Sequence, residues 1–490
     1  MASTGLAPPS LWTGKIYSGG WRAAAGGGVL AVTDKSSGEK LGEIGLASAQ
    51  DVVSAAVLAR ESQRSWAALP GPHRGDIVRK ASLLIAEHAD EIAAQIVRET
   101  GSIRPKGRME GILTAREILE AATLATQPTG FINASEAPGR RSIARRIPVG
   151  VVGVITPWNS PFLLASRAVA PALAAGNAVL LKPDAQSSVC GGAFFAQLFE
   201  AAGLPPGLLH ILPGGAEVGE ALVRDRHVDM ISFTGSTKVG RAIGATAGGL
   251  LKRVSLELGG NNALIVLDDV DIEAAASAGA WGSFFHQGQI CFTAGRHLVH
   301  ERIAEDYVKA LTRHAQKLKV GNPLTTEVHL GPLINERQAA NVDRVIAETI
   351  ARGARLVTGG TREGTFFTPT VIDGVAPGMP AFDEEIFGPV APITTFRDDT
   401  EAVSLANHTE YGLAASILSA NLTRAQHIAD QLQCGIIHIN DQTILHEVYG
   451  PIGGHGASGN GYSYSTLTNA DQFTEWQWIT SREAIAPYPF

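Results

Sequence analysis

Two residues in this sequence could supply a nucleophile and a base: Cys291 and Glu257, 34 positions apart. A lone cysteine is more often a small buried hydrophobe. Here, however, Gly288, Gln289 and other glycine and amide residues flank the thiol and favour a tight loop that presents a side chain. Glu257 is followed one residue later by Gly259-Gly260, which indicates a carboxylate held at a turn. Chemistry that uses a thiolate and then a water needs a nucleophile and a separate base, and this pair fits both roles.

The other cysteines and the nearest histidine have simpler interpretations. Cys190 and Cys434 stand in apolar surroundings with helical patterns and are predicted to be core residues. Three cysteines cannot form a disulfide framework, and none has metal-ligand spacing, so no metal is expected. His286 lies five positions before Cys291, and a Cys–His pair would indicate a thiol hydrolase or acyltransferase. Positions i and i+5 do not share a helix face, so His286 is predicted to be structural or pocket-lining.

Length and charge limit the class of protein. A chain of 490 residues predicts two or three domains, and 45% hydrophobic with 18% charged residues is an ordinary globular composition. The net charge of −7 and the lack of a long Lys/Arg block argue against a nucleic-acid partner. The basic cluster at 140–146 is interpreted as a solvated or interfacial strand pair.

Targeting signals are not expected. Residues 1–17 have no basic start leading into an apolar run, so no signal peptide is predicted. No membrane span is predicted either, because the nearest apolar stretch, 163–181, is interrupted by Arg167, Pro171 and Asn177. The sequence therefore predicts a cytoplasmic protein, in which a catalytic thiol stays reduced.

The apolar pattern predicts an α/β protein. Residues 18–48 contain short strand-like segments, and 49–126 repeat apolar residues at helical spacing. Strand-like runs and amphipathic helices then alternate over 147–266, which predicts parallel βαβ units and a doubly wound, dinucleotide-binding sheet. The predicted runs are 151–155, 178–181, 208–212, 230–233 and 263–267, with helices at 187–203 and 216–224.

The alternation continues to about residue 440 and predicts a second α/β domain that carries Cys291. Its predicted helices are 271–287, 301–318, 335–353, 400–407 and 423–433. Two further segments, 128–147 and 471–490, are interpreted as strands. The stretch 474–480 alternates with period two, and strands of this kind seldom remain unpaired.

No Gly-x-Gly-x-x-Gly fingerprint begins the first sheet. The available glycine turns are Gly214-Gly215 and the segment Gly235-Ser236-Thr237-Lys238-Val239-Gly240. A glycine-bearing turn that opens a helix offers backbone N–H groups to a pyrophosphate. The second segment is therefore the candidate phosphate-binding turn.

Six ordered motifs closely resemble those of the NAD(P)-dependent aldehyde dehydrogenase superfamily. They are Thr156-Pro157-Trp158-Asn159-Ser160-Pro161, Gly176-Asn177-Ala178-Val179-Leu180-Leu181-Lys182-Pro183, Phe233-Thr234-Gly235-Ser236, Glu257-Leu258-Gly259-Gly260, Gly288-Gln289-Ile290-Cys291 and Glu385-Ile386-Phe387-Gly388-Pro389. The resemblance implies the aldehyde dehydrogenase-like fold: a variant Rossmann cofactor domain, an α/β catalytic domain and a β-strand oligomerisation arm. The implied division is 1–127 with 148–258 for the cofactor domain, 259–470 for the catalytic domain, and 128–147 with 471–490 for the arm. It also implies a homodimer or homotetramer.

The resemblance further implies a mechanism. Cys291 would add to the aldehyde carbon, and Asn159 with the Cys291 backbone N–H would bind the developing oxyanion. Hydride would pass to the nicotinamide, and Glu257 would then activate the water that hydrolyses the thioester. The residues implied to bind the cofactor are Thr156, Trp158, Lys182, Gly215, Phe233, Gly235, Ser236, Gly240, Leu258, Glu385 and Phe387. Many NAD-preferring relatives have a glutamate where this chain has Ala185, so NAD is expected and NADP use is compatible with the sequence.

The expected substrate is a hydrophobic, benzaldehyde-like aldehyde. The candidate pocket residues, chosen by their closeness in sequence to Asn159, Cys291 and the 441–449 loop, are Phe162, Leu163, Arg167, Phe285, Phe292 and Ile444. Stretches such as Asn440-Asp441-Gln442-Thr443 also resemble the benzaldehyde and vanillin dehydrogenase branch of the family. The stretch 449–455 departs from the usual pattern of that branch.

Three alternatives remain open at this point. Arg167 could bind the distal carboxylate of a semialdehyde substrate. A thioester-forming transferase that uses coenzyme A would not need Glu257 as a base. A catalytically retired structural or binding protein of the same fold would not need Cys291, Glu257 and Asn159 together.

Overall fold

The computed structural model of the chain describes residues 5–489, so residues 1–4 and 490 of the predicted terminal segments lie outside the described residues. Strands and helices alternate through most of its length. The strands are β1 (Lys15–Ser18), β2 (Trp21–Ala23), β3 (Val29–Thr33), β4 (Lys40–Gly45), β5 (Gly130–Asn133), β6 (Arg141–Pro148), β7 (Val151–Ile155), β8 (Ala178–Lys182), β9 (Leu209–Ile211), β10 (Met230–Thr234), β11 (Arg253–Glu257), β12 (Asn262–Val266), β13 (Ala294–His300), β14 (Arg355–Thr358), β15 (Arg362–Glu363), β16 (Phe366–Phe367), β17 (Thr370–Asp373), β18 (Val390–Phe396), β19 (Tyr411–Gly412), β20 (Ala414–Leu418), β21 (Ile436–Ile439), β22 (His455–Gly456) and β23 (Thr474–Ser481).

The α-helices cover the segments between these strands. They are α1 (Pro9–Trp12), α2 (Ala49–Ala68), α3 (Gly71–Glu87), α4 (Ala89–Thr100), α5 (Arg104–Thr123), α6 (Pro161–Ala175), α7 (Phe194–Ala202), α8 (Ala216–Arg224), α9 (Thr237–Gly249), α10 (Ile272–Phe284), α11 (Glu301–Lys317), α12 (Glu336–Ala351), α13 (Pro380–Asp383), α14 (Asp399–Asn407), α15 (Leu422–Ala429) and α16 (Asn469–Phe473). The predicted helices at 216–224, 301–318 and 400–407 agree with α8, α11 and α14 to within one residue.

The first sheet has the strand order β11-β10-β7-β8-β9-β1-β2. The strands from β11 to β9 are parallel, as the βαβ alternation predicts, and β1 and β2 continue the sheet as antiparallel strands. Two details of the prediction were wrong. Strand β11, which ends at Glu257, was not among the predicted runs. The run at 263–267 corresponds to β12, which belongs to the second sheet.

The second sheet has the order β14-β17-β18-β13-β12-β20-β21 and is parallel except at β14. A third sheet joins β23, β6 and β5 antiparallel, with Thr474 opposite Pro148 and Ser481 opposite Arg141. Its three strands come from the two segments that were predicted to form strands, 128–147 and 471–490, and β6 extends to residue 148. Apolar side chains remain exposed on it, including Ile132 and Trp478, which are 77% and 70% exposed.

Helix α6 lies at the centre of the largest hydrophobic cluster and fixes the first functional turn. Every residue of this helix is buried, and all of them except Ser166 and Arg167 are apolar. The helix begins at Pro161, directly after the turn that contains Asn159 and Ser160. A helix packed on all sides cannot shift easily, so the turn before it has a fixed position.

Two further features bear on the class of protein. No helix within residues 5–489 is both long and apolar enough to cross a membrane. The same residues contain no cluster of three or more His, Cys, Asp or Glu side chains arranged to hold a metal ion.

Candidate active site

The functional motifs meet where the parallel strands of the first sheet end. Asn159 follows β7, Lys182 ends β8, Ser236 follows β10 and Glu257 ends β11. Ligands of open α/β sheets bind outside the carboxyl ends of the strands. A cavity of about 790 Å³ occupies this edge of the sheet, and Cys291 contributes to its wall from the loop before β13.

The loop that carries Cys291 is held by amide side chains. His286 and Gln287 have positive φ angles of 51° and 56°, so the loop needs support from outside. The Gln287 side chain donates to the carbonyl oxygens of Gly101 and Pro332 at 2.9 and 2.8 Å. Asn262 Nδ2 donates to the Cys291 carbonyl at 2.8 Å. The amide residues that looked unsuited to a core are therefore buried anchors of the loop.

The thiol of Cys291 lies against apolar side chains. Phe292, Leu413 and Ile452 form a small buried cluster against which Cys291 and Ile444 pack. Burial, and next the negative charge of Glu385, raise the pKa of the Cys291 thiol to about 12. A positively charged ligand near the sulfur would oppose this shift and favour the thiolate.

Glu257 is buried at the end of β11. Its Oε1 atom has no hydrogen-bond partner among the described residues. Burial raises the pKa of Glu257 well above its usual range, and the charge of Arg167 opposes the shift. A buried carboxyl with a free oxygen and a raised pKa has the properties of a general base poised for use.

Asn159 is bonded both to the loop that carries Cys291 and to helix α5. Its side chain lines the cavity and donates one Nδ2 hydrogen to the Gln289 carbonyl at 2.9 Å. Its own carbonyl accepts hydrogen bonds from Lys106 Nζ and His286 Nε2, both at 2.8 Å. A primary amide has two N–H donors, so one remains for an oxyanion. The sequence motif gave no sign of these partners.

Nearly all of the predicted cofactor residues line the same cavity. These are Thr156, Trp158, Lys182, Gly215, Phe233, Gly235, Ser236, Leu258, Glu385 and Phe387. Gly240 is not on the cavity wall. It permits close packing instead, since an added Cβ would lie 2.3 Å from Leu258 Cδ2.

The polar groups of the cavity fit a dinucleotide. Burial lowers the pKa of Lys182, and the charges of Asp184 and Glu217 oppose the shift. Ser236 precedes α9, and its side chain does not cap that helix, so first-turn N–H groups stay available to a phosphate. A half-buried ammonium suits ribose hydroxyls, and the free N–H groups suit a pyrophosphate.

The other end of the cavity is lined by aromatic and acidic groups. The rings of Trp158 and Phe387 meet edge to face at 5.5 Å. Burial raises the pKa of Glu385 to about 7, while a hydrogen bond from the Gly260 N–H lowers it. Gln338 Nε2 donates to the Phe387 carbonyl at 3.0 Å and so holds this segment.

Several cavity residues were not predicted. Arg337, Gln338 and Asn341 come from the first turns of α12, and Leu164 comes from α6. The periodicity of α12 was recognised, but a helical pattern does not reveal which sheet edge a helix end reaches.

The predicted substrate residues do not all lie at one site. Phe292 and Ile444 lie beside Cys291, and Leu163 is buried near the start of α6. Phe162 was wrongly assigned to the pocket: it is fully buried, with its ring 5.1 Å from that of Phe195, and it belongs to the core. Phe285 stacks on Trp281 at 4.4 Å and lines a second cavity.

Arg167 already has an acidic partner. Its Nε lies 3.5 Å from Glu117 Oε1, and its Nη2 donates to His446 Nδ1 at 2.9 Å. His446 Nε2 lies 3.3 Å from the same Glu117 oxygen. Because a guanidinium only donates, Nδ1 of His446 must accept, so the imidazole is neutral with its proton on Nε2. The charge of Arg167 is therefore offset by Glu117, and its Nη2 is bonded to His446.

The other two cysteines and His286 do not bond to the Cys291 thiol. Cys190 is fully buried, as predicted, in a π-helical turn. Cys434 is half-buried between α15 and β21 and not in a helix. His286 bonds to Asn159 and not to the thiol, so no Cys–His dyad forms.

The chain belongs to the aldehyde dehydrogenase family, because the sequence profile of that family matches residues 21–479. It is 50% identical over 480 residues to vanillin dehydrogenase of an Amycolatopsis species, with 98% of both chains covered. It has the same identity and coverage with the NAD(+) benzaldehyde dehydrogenase of Pseudomonas putida. The fold matches the NAD+ complex of Staphylococcus aureus betaine aldehyde dehydrogenase with a TM-score of 0.95 and 30% identity, covering 98% of this chain and 97% of that one. The predicted family and fold are confirmed.

Proposed function

We propose that this enzyme oxidises an aromatic aldehyde of the benzaldehyde or vanillin type to the carboxylic acid, with NAD as the preferred cofactor. The observation that carries the proposal is the position of Cys291 among apolar side chains, while the neighbouring cation, Arg167, is paired with Glu117. An aromatic ring gains from burial there, and a distal carboxylate finds no free positive partner. The names of the two relatives that are 50% identical to this chain, vanillin dehydrogenase and benzaldehyde dehydrogenase, support an aromatic substrate.

The chain supplies the nucleophile, the oxyanion donors and the base. Cys291 Sγ attacks the carbonyl carbon, and the oxygen gains charge beside the free N–H of Asn159. When bound, oxidised NAD would supply the hydride acceptor, and before the transfer it would add a positive charge to the site. Glu257 Oε1 then takes a proton from water, which attacks the thioester and releases the acid and the thiol.

The acidic residues near Lys182 support NAD over NADP as the cofactor. Asp184 and Glu220 line the cavity together with Lys182. Their carboxylates would repel a 2′-phosphate, even though Ala185 stands at the position where relatives have a glutamate. Lys182 and Glu385 are proposed to bind the two ribose groups, and Phe387 with Trp158 to pack beside the nicotinamide.

The domain roles are part of the proposal. Residues 1–127 with 148–258 would hold the cofactor, 259–470 would supply the thiol, and 128–147 with 471–490 would form the oligomerisation arm. Exposed Ile132 and Trp478 on the third sheet support a homodimer or homotetramer. We also propose a cytoplasmic location, where the three free cysteines would remain reduced.

The test is a kinetic comparison of benzaldehyde, vanillin, acetaldehyde and succinate semialdehyde, each with NAD and NADP. Burying a phenyl ring at about 25 cal/mol per Å² should give benzaldehyde at least a roughly tenfold advantage in kcat/KM over the two aliphatic substrates. Arg167→Leu should not reverse this order. A preference for the semialdehyde that disappears in Arg167→Leu would refute the aromatic assignment and leave the dehydrogenase chemistry intact.

A further inference from the structure

A buried ion pair lies directly behind the oxyanion turn. Lys106 and Glu110, one helical turn apart on α5, are only 2% and 1% exposed and form an ion pair. Removing two charges from water costs several kcal/mol per ion unless other polar groups compensate. Both side chains do have such partners, and all of them lie at the start of α6 or in the turn before it.

Glu110 fixes the start of α6. Its Oε1 accepts the backbone N–H groups of Phe162 and Leu163 at 2.9 and 3.2 Å. These are first-turn groups of a helix without a side-chain cap from Ser160, and a carboxylate there also interacts favourably with the helix dipole. The acid therefore replaces the missing cap.

Lys106 and His286 fix the residue two positions before the helix. Both donate to the carbonyl of Asn159 at 2.8 Å, so its two lone pairs are satisfied by donors from opposite sides of the site. His286 must donate through Nε2, because a carbonyl only accepts. Burial, and next the charge of Lys106, hold the pKa of His286 well below its usual range, which keeps the ring neutral.

The loop of Cys291 therefore contacts Asn159 twice. His286 bonds to its backbone carbonyl, and the carbonyl of Gln289 accepts from its side chain at 2.9 Å. These two residues lie five and two positions before the nucleophile. The distance between the amide and the thiol is thus set by short polar links and not by loose packing.

We propose that Lys106, Glu110 and His286 are positioning residues that fix the Asn159 amide relative to Cys291. The proposal rests on the proposed aldehyde oxidation. None of the three lines the cavity, so they act through Asn159 and not on the substrate or the cofactor. Misplacing a catalytic group by about 1 Å costs up to roughly a hundredfold in rate.

The test is a double-mutant cycle on turnover. His286→Phe removes the donor and keeps a buried ring, and it is made in the wild-type and Asn159→Ala backgrounds. We expect kcat to fall by about ten- to a hundredfold in the wild type and by less than about twofold in Asn159→Ala, with the KM for NAD unchanged. His210→Phe is the matched control, since His210 is also fully buried but bonds to Ser18 and Gly207.

The ion pair is tested separately with Lys106→Met combined with Glu110→Gln, which avoids leaving one buried charge alone. The same loss of kcat is expected, again only when Asn159 is present. An equal loss in both Asn159 backgrounds, or full turnover of His286→Phe, would overturn the positioning role. Failure of the wild type to oxidise any aldehyde would instead reject the proposed function.

Discussion

Replacing Asn159 with alanine removes the side-chain donor that we propose for the oxyanion. The amide has two hydrogens, and one is already committed to the Gln289 carbonyl at 2.9 Å, so the oxyanion receives a single bond from this residue. Loss of one such donor typically costs about 2.7–4 kcal/mol, or roughly 10²–10³ in turnover. We expect Asn159→Ala to lower kcat within that range.

The assay is steady-state oxidation of benzaldehyde with NAD, together with cofactor binding by fluorescence. The affinity for NAD should change little, because the lost amide is proposed to bind the oxyanion and not the cofactor phosphates. Ser160→Ala is a suitable control, since this neighbouring residue is half-buried and its side chain does not cap α6. A loss of less than about tenfold in Asn159→Ala, well short of the range for an oxyanion donor, would show that this residue only shapes the turn.

Three further predictions concern the charged groups and the thiol. Cys291→Ala should abolish oxidation and leave NAD binding nearly intact, so substantial residual turnover would reject the mechanism. Burial raises the pKa of Glu257, so kcat should fall as the pH drops through a range well above the usual pKa of a glutamate. Arg167→Leu removes the charge that opposes this shift, so the fall in kcat should occur at a higher pH in that variant. A flat profile down to about pH 5, near the ordinary glutamate pKa, would contradict this. Glu117→Gln should free Arg167 from its ion pair and let it bind the distal carboxylate of succinate semialdehyde. The kcat/KM for this substrate should then rise about tenfold, the scale of one charge-assisted hydrogen bond. No gain would show that Arg167 does not face the substrate.

The sequence was most informative where residue types are dictated by chemistry. Cys291, Glu257 and Asn159 were selected from motifs, and the structure brings them to one sheet edge. The alternation of strands and helices also predicted both α/β units, because the apolar periods of two and 3.6 residues are local properties. Their catalytic roles stay predictions until the variants are measured.

The errors have physical causes. Strand β11 was missed because Val254 and Leu256 are its only two apolar residues, which is too short a pattern to recognise, yet Ser255 and Glu257 are buried. Phe162 was placed in the pocket by its closeness to Asn159, whereas the helical turn directs its ring towards Phe194 and Phe195. Closeness in sequence does not determine the direction of a helical side chain.

The partners of Asn159 could not have been found from the sequence. Lys106 precedes it by 53 positions, and a Lys–Glu pair four residues apart on a helix is usually a solvated surface pair. Only the packing of α5 against α6 buries the pair. Similarly, Glu117 and Arg167 come together across these two helices, so the neutralisation of Arg167 depends on tertiary structure.

The most direct test of the central claim is to trap the thioester. Glu257→Gln should still oxidise benzaldehyde once per active site, because hydride transfer precedes the step that needs the base. Rapid quenching followed by peptide mass spectrometry should then find a benzoyl group on Cys291, together with a burst of NADH close to one per site and slow turnover afterwards. Unchanged steady turnover without a benzoyl adduct on Cys291 would contradict the assignment of both residues.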